Sequence, residues 1–252
     1  HKIMLRDYGI RGKIDQEQNE IRFFVGALTD LSDIYMLIII PEGASISPPK
    51  TERVNLTEPL SYTVTAPNGN NRIYTVSATM HTDTALLVVD LQNGYFPFYK
   101  DDSVLLHTRS MIDRVRSSGK EVIFIQTDYT SYSGENDSPY GSWKFLVHED
   151  LNPGGDDHYV VKWGQDSFAR DTELMEVLNE NELGALVVCG IATHACVHGT
   201  IEGGVAKGYR IIVAGNAHSS YNPGAQERIS TYNQLKWPAM GIDVMNAEAI
   251  HF

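Results

Sequence analysis

The chain has 252 residues, a length that fits one large domain or two. Hydrophobic residues make up 42% and charged residues 21%, an ordinary globular balance that excludes a disordered tail. A formal net charge of -12 repels phosphate backbones and argues against nucleic-acid binding, and the longest apolar run, Ile34 to Ile40, is too short for a membrane span.

Charge and chemistry are unevenly shared. Residues 1–80 hold 8 basic and 9 acidic side chains, whereas residues 81–252 hold 12 and 23. The second part also carries both cysteines, Cys189 and Cys196, and all the histidines except His1. Two cysteines cannot build a disulfide framework. Because the chain opens at His1, the lack of a visible targeting segment carries no information.

Residues 1–80 read as strands and turns. Ile21 to Val25 and Tyr35 to Ile40 are β-favouring runs. Ser61 to Thr65 and Arg72 to Ser77 alternate polar and apolar on either side of Pro67-Asn68-Gly69-Asn70, a strong hairpin signal. The expectation is a small all-β sandwich. Pro41 to Pro49, Ser61 to Ala66 and Tyr74 to Ala78 resemble the immunoglobulin-like domains near the N-termini of exported bacterial surface proteins.

From Met80-His81 onward the grammar changes, so the expected domains are 1–80 and 81–252. Ala85 to Asp90, Val122 to Thr127, Ala185 to Gly190 and Arg210 to Ala214 are continuous apolar runs of strand length. Amphipathic stretches lie between them at Leu105 to Arg116, Thr172 to Leu183 and Ala195 to Lys207. This alternation predicts an α/β fold with a doubly wound, mostly parallel sheet.

Ligands in such sheets collect beyond the carboxyl ends of the strands. Three polar features fall there: Asp90, Lys162 after Tyr159-Val160-Val161, and Cys196 where a strand turns into a helix. A thiol at a helix start beside an ammonium has its pKa lowered, a carboxylate in reach takes its proton, and backbone N–H groups hold an oxyanion. Each piece alone also fits a plainer role: a capping Asp, a solvated Lys, a packed Cys. Cys189, inside a strand run, fits core packing, and His194, His198 and His218 fit structural roles.

Asp90 in VVDLQNGY, Lys162 in VVKWGQDSFARDTEL and Cys196 in VVCGIATHACV resemble the isochorismatase-like cysteine hydrolases over about residues 83–252. Ala214 to Ser219 matches the segment after the family's fifth strand, with Asn216 where Asp is common. The resemblance implies Cys196 as nucleophile, Asp90 as general base and Lys162 as the cation that orients the acid. It also implies a cis peptide at Ile191-Ala192, with the N–H groups of Ala192 and Cys196 facing the oxyanion, and an acyl-enzyme released by water. Gln92, Phe96, Trp143 and Thr193 are the candidate pocket residues.

The nicotinamidase branch binds a metal after the second strand. Here Asp128 is present, but Thr130 stands where its His would be, a poor donor set for a transition metal. The expectation is therefore no metal and no cofactor, with a small amide, ureide or related C–N bond as substrate. The competing reading is a surface binding module whose hydrolase-like domain is degenerate. The resemblances further imply a dimer or tetramer and no disulfide. They point to export to the periplasm or cell surface, against the cytoplasm where the hydrolase family is common.

Overall fold

The structure, a computed structural model, describes residues 2–49, 53–95, 102–129, 138–170, 172–220 and 223–252. The chain divides into two compact units, His1–Thr82 with Ala206–Tyr209, and Asp83–Val205 with Arg210–Phe252.

The first unit is built from two sheets. One has the order β2-β1-β5-β7, from β1 (Lys2–Leu5), β2 (Ile10–Arg11), β5 (Ile34–Ile39) and β7 (Arg53–Val54). The other has the order β3-β4-β9-β8-β6, from β3 (Lys13–Asp15), β4 (Glu20–Val25), β6 (Ser45–Ser47), β8 (Leu60–Thr65) and β9 (Asn71–Met80). The expected hairpin forms, with Tyr62 opposite Tyr74, and Ala66 N donates to Asn70 O at 2.9 Å to close its loop. Gly69 supplies the positive φ of 85° that this turn needs. All pairings are antiparallel except β4 with β9, which run parallel.

The second unit carries a six-stranded sheet in the order β12-β11-β10-β13-β14-β15, every pair parallel. Its strands are β10 (Asp83–Val89), β11 (Val122–Thr127), β12 (His158–Lys162), β13 (Leu183–Ile191), β14 (Arg210–Ser219) and β15 (Asp243–Met245). Numbered along this unit, the order is third-second-first-fourth-fifth-sixth, the doubly wound pattern that reverses direction between β10 and β13. Every residue of β11 and β13 is buried, which explains their unbroken apolar runs.

Helix α1 (Asp102–Ser117) buries Val104, Leu105, Met111, Ile112 and Val115, a stripe at helical spacing, and starts three residues before the expected Leu105. Helix α2 is shorter than the predicted 172–183. It runs Leu174–Glu180, because Glu182 adopts a left-handed φ of 56° and Leu183 already opens β13. A π-helical turn at Thr193–Val197 leads into α3 (His198–Ala206), so the helical path begins two residues earlier than the sequence suggests. Helix α4 (Ala225–Thr231) follows β14, which extends past the predicted Ala214 to Ser219 through an irregularity in its pairing with β13.

Candidate active site

Four strand ends meet where the sheet reverses direction. Asp90 follows β10, Thr127 ends β11, Lys162 ends β12, and β13 leads through Ala192 into the turn that carries Cys196. Asp90 takes a left-handed φ of 54°, a conformation that Asp tolerates better than most residues. Its backbone N–H donates to Ile125 O at 3.0 Å and holds that conformation in place. Gly190, at φ 117°, lies so close to β10 that a Cβ there would sit 2.0 Å from Val89 O.

Lys162 is fully buried. Its Nζ donates to Asp90 Oδ2 at 2.9 Å, to Thr127 Oγ1 at 2.7 Å and to Gly164 O at 2.9 Å, three acceptors for three protons. Thr127 Oγ1 in turn donates to Asp90 Oδ1 at 2.9 Å, so both carboxylate oxygens are held. Burial disfavours the ammonium, yet Asp90 and then the Cys196 sulfur outweigh it and raise the amine above its ordinary range. The cation is fixed.

The Cys196 sulfur lies within electrostatic reach of both Asp90 and Lys162, so the three sequence-predicted residues come together. The expected lowering of the thiol pKa does not occur. Burial first, and the Asp90 charge second, push it up to about 12 against the pull of Lys162. The resting sulfur is a neutral thiol beside a carboxylate, which suits base-assisted attack rather than a preformed thiolate. Cys189 is also pushed up to about 12, by burial in the core cluster, in keeping with a packing role.

The Ile191-Ala192 peptide is cis, as the resemblance implied. The Ala192 carbonyl accepts from Ala195 N at 3.0 Å and Val197 N at 3.1 Å, which anchors the turn that carries Cys196.

The expected pocket residues do other work. Gln92 is fully buried, and its amide is committed to backbone: Nε2 donates to Thr127 O and Phe145 O, and Oε1 accepts from Thr127 N. It therefore clamps the end of β11 rather than facing a ligand. Thr193 is likewise fully buried, its hydroxyl shared between Ser219 O and His218 Nδ1. Trp143 is largely exposed and lines a cavity with Phe145, Leu146 and Tyr159 that does not include Asp90, Lys162 or Cys196. Phe96 and Thr130 lie outside the described residues; Asp128 accepts from Tyr140 N and Trp163 Nε1.

Two features escaped the sequence reading, Thr127 and the Ser220–Arg228 pair, and a third, His218, gains its partners only in the structure. Thr127 bridges acid and cation. His218 is buried, and burial drives its pKa down to about 4 although Asn233 opposes this. Asn233 Nδ2 donates to Gly215 O, so its Oδ1 faces His218 Nε2 and that nitrogen carries the proton. Ser220 Oγ accepts from Arg228 Nε at 2.9 Å and meets His194 Nδ1 at 2.8 Å, two residues before Cys196. No sequence signal marked Ser220 or Arg228.

Comparison with known proteins now has a site to refer to. The family model described as the isochorismatase domain matches residues 84–249, and the one described as SGBP, N-terminal, matches residues 4–78. A streptothricin hydrolase of Streptomyces noursei is 32% identical over 159 residues, covering 61% of this chain and 61% of that protein. The chain thus spans less than two thirds of that relative's length. A ureidoacrylate amidohydrolase of Stutzerimonas stutzeri is 24% identical over 189 residues, covering 60% of this chain and 76% of that protein. The crystal structure of N-carbamoylsarcosine amidase from Thermoplasma acidophilum superimposes with a TM-score of 0.57 at 21% identity, over 68% of this chain and 100% of that one. This last likeness is one of fold.

Proposed function

The chain belongs to the isochorismatase family, and from that premise we propose that it is a cysteine hydrolase of small, non-peptide amide or ureide C–N bonds. The observation that carries the reading is the buried Lys162–Asp90 ion pair within electrostatic reach of the Cys196 thiol. The names of the similar proteins, a streptothricin hydrolase, a ureidoacrylate amidohydrolase and an N-carbamoylsarcosine amidase, support the bond class.

Asp90 takes the thiol proton as Cys196 Sγ bonds to the substrate carbonyl carbon. The carbonyl electron pair moves onto oxygen, where the N–H groups of Ala192 and Cys196 receive it, a contribution of about 3–4 kcal/mol per donor. Collapse breaks the C–N bond, and the proton held by Asp90 goes to the departing nitrogen. Water then adds to the thioester with Asp90 as base, and the proton returns to sulfur as the acid leaves. Lys162 stays charged throughout and keeps the carboxylate aimed. The high resting thiol pKa matches this sequence, in which base and nucleophile exchange one proton without a standing thiolate.

The test is a panel of small amides, ureides and carbamoyl compounds assayed with wild-type protein and with Cys196→Ala. Turnover of at least one compound, lost by about 10³-fold or more in the variant, is the expected result. Failure of the wild type on the whole panel supports the degenerate binding module instead. Self-association as a dimer or tetramer and export to the periplasm or surface complete the proposal. Light scattering and cell fractionation read these out.

A further inference from the structure

The first unit carries a cavity of about 610 Å3, open to solvent at one side and lined from both of its sheets. Its volume falls in the range of about 300–1,000 Å3 typical of small-molecule sites. Val76, Tyr62, Ile3 and Ile21 line it and are all buried, and Ile46 and Val64 add further apolar wall. At the hairpin turn the lining changes to exposed Pro67, Asn70 and Asn71.

Arg72 is the unusual member. Alternation along β9 puts it on the same face as Tyr74 and Val76, the face that lines the cavity, while Ile73 is exposed on the other. The exposed Arg72 guanidinium stands at the rim, where it can meet an anionic group of a bound molecule. Among the described residues Arg72 has no hydrogen bond or ion pair; no Asp or Glu lines the cavity, and the other charged lining residue is Lys2, also exposed.

We propose that this cavity binds a single-chain amphiphile, its alkyl tail against the buried floor and its anionic head at Arg72 and Lys2. Two properties select that ligand. The apolar floor, Ile3, Ile21, Tyr62 and Val76, favours an alkyl chain over a polar one, whose hydroxyls would lose water there. The charge at the mouth, wholly positive in a protein of net charge -12, selects an anionic over a cationic head.

Calorimetric titration of the full chain with dodecanoate and with dodecyltrimethylammonium tests this. The expected outcome is saturable binding of one equivalent of dodecanoate, with the cationic amphiphile weaker by about tenfold or more. Arg72→Glu, an exposed substitution, reverses that order. Val64→Trp fills the cavity and weakens dodecanoate by at least about tenfold, while Ile73→Trp, on the outward face of the neighbouring β9, leaves it unchanged. Circular dichroism confirms that each variant is folded. Absence of saturable dodecanoate binding by the wild type overturns the proposal. So does an Arg72→Glu protein that keeps the wild-type preference. If Val64→Trp fails to fold, the Arg72→Glu reversal decides.

Discussion

Thr127 holds the carboxylate of Asp90 with one bond and receives the Lys162 ammonium with another, all three side chains buried. Thr127→Val keeps the shape of the side chain and removes both bonds. The loss of a partner for a buried charge costs about 1–3 kcal/mol, readable as a fall in the denaturant midpoint, with hydrolysis reduced alongside. Thr127→Ser restores both if the hydroxyl is the cause. The thiol gives a second prediction. Because burial and Asp90 push Cys196 up to about 12, the thiolate absorbance stays flat as pH passes the ordinary thiol value of about 8.5. A step there marks an unperturbed thiol, and a high thiolate absorbance already present at acid pH marks a preformed thiolate; either overturns the prediction. Asp90, Lys162 and Cys196 were legible because their motifs, at or just past strand ends, together resemble one hydrolase family; each alone fitted a plainer role. Thr127 was not, because a threonine closing a β-strand follows ordinary propensity; only its pairing with Lys162 in the ladder between β11 and β12 marks it.

At the scale of elements, the close approach of β10 and β13 sets the site's geometry, and Gly190 permits it. Gly190→Ala places a Cβ 2.0 Å from Val89 O in a left-handed conformation, so the expected loss exceeds about 4 kcal/mol and appears as a collapse of soluble, folded protein. Gly119→Ala is the matched control. It carries a positive φ of 64° with nothing within 4 Å, and its cost stays near 1–2 kcal/mol. A similar dependence joins α3 to the segment after Lys162, since a Cβ at Gly203 would lie 2.1 Å from Asp166 Oδ1. Apolar periodicity marked the bodies of these elements well and their ends poorly. The stretch 172–183 looked helical to its end because Leu183 extends the amphipathic stripe, yet the left-handed residue before it starts a strand instead.

For the molecule as a whole, buried titratable groups define a pH window of stability. His218 is held down to about 4 against an ordinary 6.5, so the unfolded chain binds more protons between those values. Its stabilisation is complete above about 6.5 and is lost as pH falls toward 4, a change on the order of 3 kcal/mol that His218→Asn should flatten. At the alkaline end the sign is opposite. Cys196 and Cys189 keep their protons to about 12 while unfolded thiols ionise near 9, so stability declines as pH rises between those values. Thermal melts across both ranges measure the two limbs. What the amino-acid order determined by itself was local: run length and periodicity set which segments are strands or helices, and an acid, an amine and a thiol at strand ends marked the chemistry. The tertiary structure decided the strand order, the buried commitments of Gln92 and Thr193, and the state of the thiol. These depend on distances and desolvation between segments far apart in the chain, as the 72-residue separation of Asp90 and Lys162 illustrates, and no local pattern encodes them.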